Sequence, residues 1–190
     1  MTTNKTVFFI TGILLVVLGI FMLAPYLLQI FYQENSHSFL SSAFITIFIG
    51  VLLILANLEK NYRLNLQETF LFSTLAWFFV ATFGSLPFMF STLDLSISEA
   101  FFESMSGITT TGSTVISNLD NSPKSILLWR AIMQWLGGIG IIVMAITVFP
   151  LLKVGGMQLF KMESSHDAEK IFPRTAEVAK TIISTYLILT

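Results

Sequence analysis

Cysteine is absent from the 190-residue chain, which excludes disulfides, thiolate metal sites and cysteine nucleophiles. Charge is scarce. Asp, Glu, Lys and Arg together make up 11% of the residues and nearly cancel, to a formal net charge of -1. With no basic excess and no basic helix face, the chain lacks what a nucleic-acid partner would require. The two histidines, His37 and His166, stand in different loops without metal-ligand spacing or a partnered nucleophile. No paired acid, metal set or activated nucleophile falls within the apolar stretches, so neither an enzymatic activity nor a cofactor is expected.

What the chain has in abundance is apolar surface, at 54% of residues, which places it in the membrane class. Four stretches approach the roughly 20 residues needed to cross about 30 Å of hydrocarbon. They are Val7 to Phe31, Phe39 to Asn57, Thr69 to Leu93, and Ser125 to Leu152 with Arg130 as its one charge. The first has an apolar region too long for a signal peptide and is expected to be retained. Lys5, then Lys60 and Arg63, then Lys153, Lys161, Lys170 and Arg174 mark alternate connections as cytoplasmic. The N-terminus is therefore expected inside, with Glu34, His37, Asp94, Glu99, Glu103 and Asp120 on the outer side.

The segment between the third and fourth spans is too short and polar to cross, so it is expected to re-enter. Ser96-Ile97-Ser98-Glu99 fits a capping box opening a helix of about ten residues, with Phe101, Phe102 and Met105 as its apolar face. That helix runs into Thr109-Thr110-Thr111-Gly112-Ser113-Thr114. A re-entrant chain must satisfy its carbonyls, and lining a cation path with them is one solution. Thr adds hydroxyl oxygens, Gly112 permits backbone angles that aim successive carbonyls alike, and the negative end of the helix dipole points where a cation would sit. Ser122-Pro123 then reads as an N-cap with Pro at the first position of the fourth span.

The layout is an all-α integral membrane fold. Two N-terminal transmembrane helices (1–64) precede one helix, pore helix, filter, helix repeat of a potassium-channel-like fold (65–152, filter loop 108–114). A cytoplasmic connector (153–174) and the truncated start of a second repeat (175–190) follow. Met105 to Gly112, Trp129-Arg130, Gln134 to Val143 and Val154 to Leu159 resemble the bacterial TrkH/KtrB potassium-uptake proteins of the Trk/Ktr/HKT superfamily, and the two leading helices resemble its TrkH branch. The resemblance implies a potassium-translocating subunit of the bacterial cytoplasmic (inner) membrane, with a pore lined by four non-identical repeats. It implies that the carbonyls of Thr110, Thr111, Gly112 and Ser113 are this repeat's share of the potassium sites, with glycine at 112 favouring potassium over sodium. It further implies a homodimer and a cytosolic nucleotide-binding regulatory subunit.

Only one filter motif occurs, and the last stretch stops after half a span. The chain is expected to be an N-terminal fragment that does not conduct alone. Four copies assembling as a tetramer is the competing arrangement, and a non-conducting receptor or anchor with a sealed re-entrant loop is the competing function. Several residues stay open on sequence alone. Gly137, Gly138 and Gly140 fit a gating hinge or close helix packing. Arg130 fits snorkelling, a partner such as Glu103 or Asp120, or the ion path. Glu99 and Glu103 fit a cation-concentrating mouth or a solvated helix face. Pro25 and Pro87 are expected to kink their spans.

Overall fold

The structure, a computed structural model, describes residues 4–34, 37–59, 65–152 and 171–189. Every regular element among them is helical. The chain divides into two compact units, Met1–Gly137 and Gly138–Thr190. The expected connector, with Gly155-Gly156, Met157 to Met162 and His166, lies outside the described residues up to 170.

In the first unit, α1 (Lys5–Phe21) and α2 (Leu23–Phe31) form one long apolar segment broken at Met22. The break lies one turn before Pro25, whose missing N–H leaves the Phe21 carbonyl without its helical donor. Helix α3 (Ser38–Ala56) packs on α1 through small residues. A Cβ on Gly12 would lie 2.7 Å from the Gly50 carbonyl, and one on Gly50 would lie 2.8 Å from the Gly12 carbonyl. The two backbones touch there. Among lipid tails that are as apolar as leucine, such close van der Waals packing is what holds helices together. Gly19, whose Cβ would meet Ile47 at 2.5 Å, continues the seam one heptad on. At the expected inner end Lys5 pairs with Glu59 at 3.8 Å.

Helix α4 (Leu66–Gly84) begins three residues before the expected Thr69, because Asn65 and Glu68 form a reciprocal capping box. It ends at Ser85, and the single turn α5 (Leu86–Met89) follows with Pro87 near its start. The Phe88 amide therefore bonds to Ser85 O at 3.0 Å. This releases the Gly84 carbonyl, which accepts the Trp129 indole N–H at 2.9 Å in the buried core. Helix α6 (Ile97–Ile108) is the short helix expected between the third and fourth spans, and α7 (Lys124–Leu152) follows a single 3-10 turn at Leu119–Asn121. Among the described residues, four segments are long and apolar enough to cross a membrane: Lys5–Phe31, Ser38–Ala56, Gln67–Met89 and Lys124–Ile142. Their outward faces carry Leu27, Phe31, Phe44 and Phe48, an apolar surface suited to lipid rather than water.

The start of α7 differs from the Ser122/Pro123 expectation. Pro123 supplies the carbonyl that accepts from Leu127 N at 3.1 Å, and Lys124 is the first helical residue. The amide end is capped from afar: Glu34, in the loop after α2, accepts from the amide of the buried Ser125 at 3.3 Å and from the Ser125 hydroxyl. A carboxylate at a helix N-terminus satisfies an orphan N–H and complements the dipole.

In the second unit, the later part of α7 is accompanied by α8 (Ile171–Leu189), which starts four residues before the expected Thr175. Its apolar portion is Lys180–Leu189. The Tyr186 hydroxyl lies 2.6 Å from where a Gly138 Cβ would be, so Gly138 makes room for that ring.

Candidate functional site

Helix α6 begins as its sequence requires. The Ser96 hydroxyl accepts from Glu99 N at 3.3 Å, and Glu99 Oε2 accepts from the Ser96 amide at 2.8 Å. These donors, the Ser96 hydroxyl first and its amide second, hold the fully exposed Glu99 carboxyl below its ordinary value of 4.5. Of the expected apolar face, Phe101 and Met105 pack half-buried against the core, but the fully buried face is a different one. Ala100, Glu103, Ser104 and Gly107 line it, while Phe102 stays exposed. Small residues allow α6 to lie close to its neighbours. A Cβ on Gly84 would meet Ser104 Oγ at 2.7 Å, one on Gly107 would meet Met133 at 3.0 Å, and one on Gly137 would meet the Ile108 carbonyl at 1.9 Å. For Gly137 the close-packing reading holds, since the end of α6 rests directly on α7 there. Nothing lies within 4 Å of a Gly140 Cβ.

The end of α6 shapes the loop that follows. The Thr110 amide donates to Gly107 O at 2.9 Å, and the Thr111 amide donates to Ser106 O at 3.0 Å. With Thr110 at φ 59°, this is a Schellman motif, whose left-handed position glycine usually fills. A β-branched residue at positive φ is a rare and strained choice. The Gly112 amide also turns back to Ser106 O, at 3.3 Å, and Gly112 itself has φ 77°.

Three consecutive amides thus point into the helix end, and the Thr110 and Thr111 carbonyls accept no hydrogen bond among the described residues. Thr110, Thr111, Gly112 and Ser113 are all exposed, and they form one continuous edge of the unit. The Ser113 carbonyl accepts from the Ser106 hydroxyl at 2.6 Å, and the Thr109 and Thr111 hydroxyls lie 2.9 Å apart. Gln134 of α7, which sequence patterning did not single out, brings its Nε2 to 3.5 Å from where a Gly112 Cβ would lie.

Behind this edge lies a buried charge pair. Glu103 is 1% exposed and Arg130 is 9% exposed, and Glu103 Oε2 pairs with Arg130 Nη1. Glu103 Oε1 accepts from the Thr114 hydroxyl at 2.6 Å and from the amides of Val115 and Ile116 at 2.5 and 3.4 Å. Arg130 Nη2 reaches the Gly112 carbonyl at 3.5 Å. The suggested mouth role for Glu103 is therefore corrected. Of the two acids on α6 only Glu99 faces outward, and Arg130 takes Glu103 as its partner. No cluster of three His, Cys, Asp or Glu able to hold a metal occurs among the described residues.

The sequence that builds this arrangement matches a known family. The family model for TrkH, described as a cation transport protein, covers residues 35–190. The chain belongs to the TrkH family. The Trk system potassium uptake protein TrkH of Vibrio parahaemolyticus is 39% identical over 190 residues, spanning 98% of this chain and 39% of that protein. The Escherichia coli protein of the same name is 40% identical over 185 residues, with 95% and 38% covered. The crystal structure of the potassium transporter TrkH from Vibrio parahaemolyticus superposes with a TM-score of 0.82 at 36% identity, covering 98% of this chain and 37% of that one. The chain thus spans less than two-fifths of the length of these relatives. The all-helical, multi-pass membrane architecture expected from the sequence is that of the TrkH family.

Proposed function

We propose that this chain is the N-terminal portion of a potassium-translocating subunit, and that its 108–114 loop supplies one share of an ion filter completed by the rest of the full-length protein. The observation that carries the reading is the turning of the Thr110, Thr111 and Gly112 amides into the end of α6. Oxygen, not N–H, is thereby left along the exposed edge at Thr110 and Thr111, which is the polarity a partly dehydrated cation requires. The carbonyls of Gly112 and Ser113 complete the set, each also held from behind by a side-chain donor. Potassium is the ion by relationship, because the relatives are named for its uptake. The protein sits in the bacterial inner membrane with its N-terminus in the cytoplasm, in keeping with the distribution of Lys and Arg. It works as a homodimer with a cytosolic nucleotide-binding regulatory subunit, as the family resemblance implies.

The test is potassium uptake by the full-length protein in a host lacking its own uptake systems. Gly112→Ser is expected to lower the preference for potassium over sodium. Unchanged uptake and unchanged ion preference would overturn the assignment of Gly112 to the filter, and a full-length protein that takes up no potassium would favour a non-conducting receptor or anchor.

A further inference from the structure

We propose that Glu103 and Arg130 are positioning residues for ion selection, a charge-neutral pair behind the filter that fixes the loop and cancels a cation beside it. The inference rests on the filter reading of 108–114 and goes beyond it, because neither side chain lies on the exposed edge that would meet the ion.

Two observations carry it. The first is connectivity. Glu103 on α6 holds the outgoing limb at Thr114, Val115 and Ile116, while Arg130 on α7 holds Glu103 and reaches the Gly112 carbonyl. Both sides of the loop and both flanking helices thus meet in one pair. The second is charge. A guanidinium 3.5 Å from the Gly112 carbonyl would repel any cation that carbonyl coordinates. The buried carboxylate offsets this repulsion, and at the effective dielectric of such sites each uncompensated charge is worth about 10- to 100-fold in ion affinity. The remaining acids of the outer side take no part in this balance. Glu99 is exposed and bonded to Ser96, Glu34 caps Ser125, and Asp94 and Asp120 are exposed.

A purely structural pair and an electrostatic one make opposite predictions. If the pair only held the fold, removing either member would weaken transport in the same direction. If it balances charge, the two removals differ in sign. In the full-length protein, Glu103→Gln leaves Arg130 uncompensated and is expected to raise the KM for potassium by about 10-fold or more. Arg130→Gln leaves a bare carboxylate and is expected to lower that KM while reducing discrimination against sodium. The double variant Glu103→Gln/Arg130→Gln is expected to return KM to within about threefold of wild type, since neutrality is restored.

Shifts of the same sign in both single variants, no shift in either, or a double variant no better than the worse single would overturn the proposal. Where a neutral variant fails to accumulate in the membrane, Arg130→Lys decides. It keeps the charge but lacks the fork that spans Glu103 and Gly112, so KM should hold while the potassium-to-sodium ratio falls, and a wild-type ratio would overturn the positioning role. A response to Gly112→Ser without any response to these variants would sink this inference and leave the filter reading intact.

Discussion

Gly137 lies against the carbonyl of Ile108 so closely that an added Cβ would stand 1.9 Å from the oxygen. Helix α6 therefore ends on bare backbone of α7, and both partners of the contact are main chain, which cannot rotate away. Gly137→Ala is expected to lower thermal stability by about 1–3 kcal/mol or more through overpacking. Gly140→Ala, with open space around it, should be neutral or stabilising by helix propensity. Melting of the two variants in detergent, side by side, checks the contrast.

Thr110 occupies a left-handed position that glycine fills at lower cost. Thr110→Gly is expected to stabilise the folded protein by about 1 kcal/mol, or about 2–4 °C in melting temperature. On the filter reading it should at the same time weaken ion discrimination, because the loop gains conformational freedom. A gain in stability with unchanged selectivity would show that the strained threonine has no role in ion selection.

The Trp129 indole N–H is the donor for the Gly84 carbonyl released by the α4 break. Trp129→Phe keeps a ring in the core but leaves that carbonyl unpaired, at a cost of about 1–3 kcal/mol. The loss should appear in melting curves and as faster amide exchange around Ser85 to Phe88. Unchanged exchange there would mean that another donor reaches Gly84.

Acid should loosen the start of α6. The folded Glu99 carboxyl titrates below its ordinary 4.5, so its contribution is fully present above that value and is lost as pH falls through the lowered folded-state value. Amide exchange of Ser96 and Glu99, measured from about pH 6 to 3 and corrected for intrinsic rates, should show protection falling in this window. Glu99→Gln should flatten that pH dependence.

Much of this architecture was legible because membrane spans announce themselves by length and composition. The four apolar stretches, the Ser96-Glu99 cap and the short helix after it could all be read from the chain. The span ends moved where a local device intervenes: the Asn65-Glu68 capping box extends α4, and Pro87 divides the third span near its end.

The front of the site was legible, and so was Glu103 as one candidate partner of Arg130, but the burial of that pair was not. A Thr-rich run with glycine marks exposed carbonyls, whereas the burial of Glu103 depends on which face of α6 meets α7. Helical spacing from Glu99 suggested a shared surface. The packing of Gly107 and Met133 decides otherwise, and Glu103 turns toward Arg130. The Schellman ending was hidden for a related reason, since threonine stands at the position where glycine would have marked it.

The contact between Glu34 and Ser125 joins residues 91 positions apart in the chain, and this has a consequence for how the protein is made. Glu34 leaves the ribosome with the first pair of helices and would wait roughly 5–18 s, at ordinary synthesis rates, before its partner is added. Until then the contact with Ser125 cannot form. The loop after α2 thus receives the start of α7 only late in synthesis, through Glu34.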